Sequence, residues 1–478
     1  MARRRLVSRT NREEFTSRGV SPARRAALGM LVSSLSPKAP GMDQFLDDAR
    51  RHSPLSSLDA SLAQELAYGV SRQRRWLEIV LARYLDRPLP KQAVHVHEAL
   101  LIGIYQAIFL DRVPAHTIVD EGVRLVGEAR TEASYRGLVN AILRRVVAED
   151  RAALLPAETD SWMLRHSVPE WLASEAGQIY RGGELVEFFA ASNQSAPLNL
   201  RVVARADAPE ASVLAERLRG EIVDVTHQTP DVEPGRFAPD CITVRGRGVS
   251  PDFLPSFRRG LVTAEDEAAQ IVGWLCGAQP GMAILDLCAS PGGKTSHLAD
   301  LAERRPARLL ATDVNEQKLA RMRETLARLG LEKIVETALA GTVTEETHRN
   351  AFDLVLVDAP CSALGILRRH PEVRWRRTTR DLRFLARTQS ELLSKAAPLV
   401  KPAGHLMYSV CTFTRAETDQ VVRGFLEANK DFRMAAAPKG LPFDEKEFRV
   451  GEGTWRTSPH KHGCDAFFVA RFERDAVS

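Results

Sequence analysis

A chain of 478 residues, 44% hydrophobic and 27% charged, is too long for a single core and too ordinary in composition to be disordered, collagenous or stapled by disulfides, so two to four folded domains are expected. The net charge of +5 suits a nucleic-acid partner without requiring one, and the longest apolar run, Leu100 to Leu110, is too short to cross a bilayer and reads as a buried helix. Six cysteines, Cys241, Cys276, Cys288, Cys361, Cys411 and Cys464, stand far apart with no C-x-x-C pair, a pattern of free thiols in a reducing cytoplasm and not of a zinc or dithiol redox motif.

Residues 1–20 read as a basic tail. Arg3, Arg4 and Arg5 are followed by no apolar stretch that could serve as a secretory signal, and Glu13 and Glu14 do not suit a transit peptide. From residue 21 to 153 apolar residues recur three and four apart with few strand signals, so an all-α domain is expected. Its last helix carries an apolar stripe of Leu138, Val139, Ile142, Leu143 and Val146. Arg136, Asn140 and Arg144 share another face, open to two readings: a solvated surface or a phosphate contact. Residues 154–261 change to a small α+β module punctuated by prolines, with strands at 199–203 and 241–244 and a helix at 211–219. From 262 to 478 strands (283–287, 308–312, 353–357, 405–410) alternate with helices (294–303, 316–329, 382–400). That alternation predicts a doubly wound, mostly parallel α/β sheet.

The segment from Asp286 to Thr295, DLCASPGGKT, is a strand end, a glycine turn and a helix start, where bare backbone and free helix amides can meet a ligand. A Walker loop would need glycine five residues before Gly293, but Cys288 stands there, and no G-x-G-x-x-G is present. Asp313, about 20 residues on at the end of the next strand, is placed to accept ribose hydroxyls, as in both nicotinamide and S-adenosylmethionine sites.

Two cysteines follow apolar strands directly, in Asp358-Ala-Pro-Cys361-Ser and Tyr408-Ser-Val-Cys411-Thr. Each therefore sits at a strand's carboxyl end, the edge where open α/β sheets bind ligands, and if the two strands are neighbours the sulfurs flank one pocket. A thiolate is suited to adding to carbon-6 of cytosine, which makes carbon-5 nucleophilic, and a second thiol nearby could serve product release. Asp358 could hold the ring nitrogen.

These segments resemble the Sun/Fmu/RsmB family of ribosomal RNA cytosine-5 methyltransferases over nearly the whole chain. The resemblance rests on DLCASPGGKT, on DAPCSALG from Asp358, on Arg368-Arg-His-Pro-Glu372 with Trp375, and on HGCDAFF from His462. It implies a NusB-like helical RNA-binding domain (21–153), a small RRM-like α+β module (154–261) and a Rossmann-like methyltransferase domain (262–478). It also implies S-adenosylmethionine as cofactor, and small-subunit ribosomal RNA as partner of a monomer that needs no metal or membrane. By the same resemblance Cys411 is the nucleophile, Cys361 assists release, and Lys294 and Asp358 complete the catalytic set. Cys288, Ala289, Ser290, Pro291, Gly292, Gly293, Lys294, Asp313 and Asp358 would line the cofactor site. Three positions depart from the family: Val410 replaces threonine, Thr418 replaces asparagine, and no aspartate stands near Ala340 and Gly341 at the third strand's end. A transfer RNA methyltransferase and a non-catalytic assembly factor of the same fold are the alternatives.

The basic segment containing Arg368, Arg369, Arg374, Arg376, Arg377 and Arg380 with Trp375 is expected to grip RNA phosphates, its tryptophan packing or stacking. His460, His462 and Cys464 alternate on one short loop without further ligands, so no metal is expected there.

Overall fold

The computed structural model describes residues 19–36, 41–52, 55–128, 132–205, 209–227, 229–246 and 249–476. The arginines of the expected basic tail lie outside them. The chain's contacts group into two compact units, one of residues up to Ser174 together with His370–Arg377, the other of Glu175–Arg369 and Thr378–Ser478.

The first unit is helical. Helices Pro22–Ser34, Met42–His52, Ser57–Ala82, Val94–Phe109, Ala115–Glu128 and Arg136–Val146 surround a core that includes Leu28, Leu66, Leu77, Leu100, Ile104 and Leu143. Val94–Phe109 is buried along most of its length, as the apolar run predicts, and no helix among the described residues is long and apolar enough to cross a membrane. In Arg136–Val146 the residues Val139, Ile142, Leu143 and Val146 are buried, but Leu138 faces outward. At 100° per residue its side chain falls on the flank of the stripe. The short helix Val373–Arg376 also belongs to this unit: Trp375 Nε1 donates to Ser71 O at 2.7 Å, and Arg374 donates to His166 O at 3.2 Å and Ser167 O at 3.3 Å.

The second unit holds two sheets. A small antiparallel sheet has the order β2-β3-β1-β4, from β1 (Leu198–Val202), β2 (Asp231–Pro234), β3 (Cys241–Arg245) and β4 (Val262–Ala264). The large sheet runs β11-β12-β13-β9-β8-β5-β6-β7, with β10 paired to β13. Its strands are β5 (Ala283–Asp286), β6 (Arg308–Asp313), β7 (Val335–Leu339), β8 (Phe352–Asp358), β9 (Val400–Val410), β10 (Phe432–Met434), β11 (Arg449–Gly451), β12 (Thr454–Arg456) and β13 (Phe468–Arg474). Strands β9, β8, β5, β6 and β7 are parallel, and β13 joins β9 antiparallel. Both faces are covered by apolar layers, which is why β8 reads as the nearly continuous apolar run FDLVLVD.

Two differences from the sequence expectation have local causes. The helix expected to reach residue 400 ends at Ala396, because Pro398 cannot continue it and the chain passes through the turn Ala397–Leu399 straight into β9. The antiparallel C-terminal strands are short, three residues each in β10, β11 and β12, and give almost no periodic signal.

Candidate active site

Strand β5 delivers Asp286 to the sheet's carboxyl edge, and the loop beyond it turns through Gly292, at φ +100°, into helix Gly293–Leu301. That backbone region is accessible to glycine and strained for other residues. Around the loop lies a cavity of about 180 Å³, lined among others by Glu265, Asp266, Asp286, Cys288, Lys294 and Asp358. Ala289, Ser290, Pro291 and Gly293 line it too; Asp313 does not, sitting at the end of the adjacent strand with Oδ1 accepting from Asn315 N at 3.0 Å. Asp286 is buried, bonded through Oδ2 to Thr295 Oγ1 at 2.7 Å, and among the described residues its Oδ1 has no hydrogen-bond partner. Burial pushes its carboxyl up to about 7. Lys294 Nζ lies 2.8 Å from Asp358 Oδ2; burial works against its charge, but the carboxylate outweighs it and holds the ammonium above its ordinary range.

The small sheet braces this loop. Buried Arg201, on β1, donates to Glu265 Oε2 at 2.7 Å, Asp300 Oδ2 at 2.6 Å and Ser296 Oγ at 2.7 Å, reaching the helix that follows the glycines. Such a guanidinium is tolerated inside only because its donors are met by charges and a hydroxyl.

Strands β8 and β9 pair in parallel with Asp358 opposite Ser409, so the two cysteines leave the sheet side by side and their sulfurs stand 3.2 Å apart. The Cys411 sulfur beside it and burial hold the Cys361 thiol well above the usual thiol range. Cys288 is a different case: burial, with Asp286, Asp358 and Asp313 nearby, pushes it up to about 12 and makes it a neutral lining group. Gly365 N donates to Cys411 O at 2.9 Å, and Ala466 N to Gly365 O at the same distance. A Cβ at Gly365 would fall 1.9 Å from Ala466 O, so only glycine lets these three segments close around Cys411.

A residue that the sequence reading missed organises both thiol loops. Glu417, fully buried, accepts from Ser362 N at 2.8 Å and Gln389 Nε2 at 3.1 Å through Oε1, and from Thr414 Oγ1 at 2.9 Å and Thr412 Oγ1 at 3.4 Å through Oε2. Ser362 and Thr412 hydroxyls meet at 2.8 Å, Gln389 also donates to Pro360 O at 3.0 Å, and Tyr408 OH donates to Glu417 O at 2.6 Å. The only sequence cue was a glutamate six residues after Cys411, and nothing in that spacing says that it turns inward.

The arginines expected to hold RNA are placed otherwise. Arg369 is occupied by Asp465 at 2.8 Å, Asp266 at 2.6 Å, Pro197 O at 3.1 Å and Asn199 at 3.0 Å, tying β1 to the C-terminal loop. Arg368 is buried and donates to Gly463 O. Arg374 is buried so completely that desolvation, with Arg72 nearby, pushes it down to about 9, and Trp375 is pinned to Ser71 O. These four are corrected from phosphate contacts to internal ties: in a basic run interleaved with apolar residues, packing took the charges inward. Arg136, Asn140 and Arg144 lie on one helix face, the two arginines exposed and Arg144 bonded to Asn140 at 3.0 Å. His462 Nδ1 accepts from Ser458 N at 2.9 Å, His460 lies 3.4 Å from Glu184, and Cys464 is buried. No cluster of three or more metal-ligating side chains occurs among the described residues. Val410 is buried in β9 opposite Phe468, and Thr418 Oγ1 donates to Thr414 O at 2.8 Å, so both departures from the family pattern are packed positions.

With this geometry in place, comparison with known proteins is direct. Residues 275–473 match the family described as 16S rRNA methyltransferase RsmB/F, and residues 21–148 match the NusB family. The ribosomal RNA small subunit methyltransferase B of Pasteurella multocida is 31% identical over 461 residues, covering 94% of this chain and 96% of that protein. Its namesake from Sodalis glossinidius is 34% identical over 393 residues, covering 80% and 86%. The solved structure of PH0851 shares the fold at 23% identity and a TM-score of 0.75, over 94% of this chain and 99% of that one. A methyltransferase homolog from Pyrococcus horikoshii does so at 24% identity and a TM-score of 0.52, over 66% of this chain and 97% of its own. The helical domain, the Rossmann-like sheet and the paired-cysteine edge thus go with identity along nearly the whole length, and the chain belongs to the 16S rRNA methyltransferase RsmB/F family.

Proposed function

We propose that the protein methylates carbon-5 of a cytosine in small-subunit ribosomal RNA, using S-adenosylmethionine and a covalent bond to Cys411, as a cytoplasmic monomer. The observation that carries this reading is the pair of sulfurs 3.2 Å apart at the ends of β8 and β9, beside the Lys294–Asp358 pair. The cavity supports a cationic cofactor. Glu265, Asp266 and Asp358 in its lining are met by Arg201, Arg369 and Lys294, which leaves Asp286 as the lining carboxyl with no ion pair among the described residues, and Glu265 Oε1, Asp286 Oδ1 and Ser290 Oγ are buried with no hydrogen-bond partner among those residues. The glycine loop, Asp286 and Lys294 would hold the ligand's amino-acid end, and Asp313 its ribose.

The residues then divide the chemistry. Cys411, as thiolate, forms a bond to carbon-6, and the ring's electron pair moves to carbon-5. Asp358, through the oxygen that Lys294 leaves open, would hold the ring's polar edge during this shift. When bound, S-adenosylmethionine supplies an electrophilic methyl group at carbon-5. Loss of the carbon-5 proton to water returns the electron pair toward carbon-6, and the Cys411 sulfur leaves. Cys361, kept as a thiol within reach of that sulfur, donates to it as it departs.

The test is a trapping experiment. Cys361→Ser should accumulate a protein–RNA adduct that survives denaturing electrophoresis and requires S-adenosylmethionine, and adding Cys411→Ser should abolish it. An adduct trapped by Cys411→Ser instead would exchange the two roles. Absence of an adduct in both variants would count against covalent catalysis.

A further inference from the structure

Helix Thr379–Ala396 has two unlike faces. The inner face carries Leu382, Leu393 and Gln389, whose amide bonds Pro360 O and Glu417, the groups that shape both cysteine loops. On the outer face Arg380, Arg383, Phe384 and Arg387 are exposed and line a groove of about 720 Å³, closed on its other side by Ala416 and Gln420. Ala416 lies five residues beyond Cys411, so the groove opens next to the nucleophile loop.

Three features of this groove ask for an occupant. The arginines at i, i+3 and i+7 have no acidic or hydrogen-bonding partner among the described residues. The acid in the lining, Asp381, is engaged as a helix cap by Thr378 N at 2.8 Å and Thr378 Oγ1 at 2.7 Å. Phe384 is 61% exposed in the middle of these cations, where an apolar ring gains nothing from the solvent.

We propose that this groove docks the single-stranded RNA flanking the target cytosine, with Arg380, Arg383 and Arg387 on backbone phosphates and Phe384 stacked on a base. The proposal rests on the reading of the chain as an RNA-modifying enzyme and names the surface that feeds its cysteine pocket. Planar guanidinium forks suit phosphate oxygens, and aromatic platforms beside cations are the usual means of holding unpaired bases. The arginines span about 10 Å along the helix axis, roughly three nucleotides of stacked strand at ~3.4 Å each. Because the same helix is bonded to the cysteine loops through Gln389, strand held here is in register with Cys411.

The test compares wild type, the triple variant R380Q/R383Q/R387Q and Phe384→Leu. Anisotropy of a labelled, unmodified small-subunit ribosomal RNA transcript is read across salt concentrations, with S-adenosylmethionine affinity measured in parallel. The triple variant should lose about tenfold or more in RNA affinity, and its log–log salt slope should flatten by about 2 for three single-strand phosphate contacts. Phe384→Leu should weaken binding severalfold at unchanged slope. Cofactor affinity and thermal midpoint should stay at wild-type values in both. Wild-type slope and affinity in the triple variant would overturn the groove while leaving the enzyme reading intact. A wild-type protein that bound the cofactor but no RNA would instead overturn the enzyme reading. Loss of affinity for a polyglutamate peptide and not for RNA would reassign the groove to an acidic protein.

Discussion

The two sides of the active site are built by opposite means. The cofactor side is a contiguous loop, Asp286 to Lys294, with buried charges around it: Asp286, Glu265 held by Arg201, and the Lys294–Asp358 pair. The thiol side is assembled from separate stretches: neutral donors from Ser362, Gln389, Thr412 and Thr414 converge on the Glu417 carboxylate, while Gln389 also bonds Pro360 O and Gly365 N bonds Cys411 O. On the proposed reading one side is a cradle of buried charges for the cofactor, and the other is a frame that holds two sulfurs 3.2 Å apart. Changes to the frame should therefore alter turnover and spare cofactor binding, and changes to the cradle should do the reverse.

The largest effect is expected at Glu417. Glu417→Ala removes the buried carboxylate that accepts from Ser362 N, Gln389 Nε2 and Thr414 Oγ1, about 1–3 kcal/mol for each group left unmet, and should lower the thermal midpoint by several degrees. Glu417→Gln keeps the shape and one acceptor oxygen, so it should fold. Because a displacement of about 1 Å can cost about 100-fold in rate, kcat should fall about tenfold to 100-fold, with S-adenosylmethionine Kd unchanged. In a Cys361→Ser background the same change should slow adduct formation equally. A change in cofactor affinity would break the division between frame and cradle.

That contrast also explains what could be read from the sequence. The glycine loop and the place of each cysteine at a strand end were legible because strand and turn residues are adjacent in the chain, and β8 and β9 prove to be the neighbours that a shared pocket requires. Glu417, Gln389 and Gly365 were not, since most of their partners lie 9 to 101 residues away and no local periodicity marks a carboxylate that turns inward. The arginines make the same point. Arg369 and Arg374 look like Arg383 and Arg387 in composition, but the first pair is folded into internal bonds and the second stands exposed. What separates them is where each is held: Arg369 meets Asp465 and Asp266, and Arg374 lies in the short helix Val373–Arg376 bonded inward to His166 O and Ser167 O, whereas Arg383 and Arg387 stand on the outer face of the regular helix from Thr379 onward.

On the cradle side, pH gives the next test. Burial raises the folded Asp286 carboxyl to about 7 from its ordinary value of 3.8. The folded state therefore binds more protons than the unfolded state between those values, so this group's contribution to stability is present at low pH and declines as pH rises toward 7. A cationic ligand reverses the preference, because the ionised form attracts it. S-adenosylmethionine affinity should accordingly rise severalfold from pH 6 to pH 8. Asp286→Asn should flatten that rise and the stability slope together, leaving adduct formation at saturating cofactor within a few-fold of the parent. A pH-independent affinity in the wild type would remove Asp286 from the cation's reach.

The smallest effect concerns the third-strand end, where the cradle lacks a carboxylate. Strand β7 stops at Leu339, and the turn Ala340–Thr342 follows at the same sheet edge as Asp286 and Asp313. On the proposed reading, with the ribose on Asp313, a family-like aspartate there would face the ligand's adenine end. Ala340 is half-buried and Gly341 has open space around it, so a two-oxygen side chain can be admitted without displacing core residues. Ala340→Asp should add one hydrogen bond from the exocyclic amine, about 1 kcal/mol net, or about fivefold in S-adenosylmethionine Kd by calorimetry. The gain should vanish for an analogue in which that amine is replaced by an oxo group, and adduct formation at saturating cofactor should not change. Tighter binding of both ligands would mean that the new charge acts on the sulfonium and not on adenine, and an unchanged Kd would place the adenine away from β7.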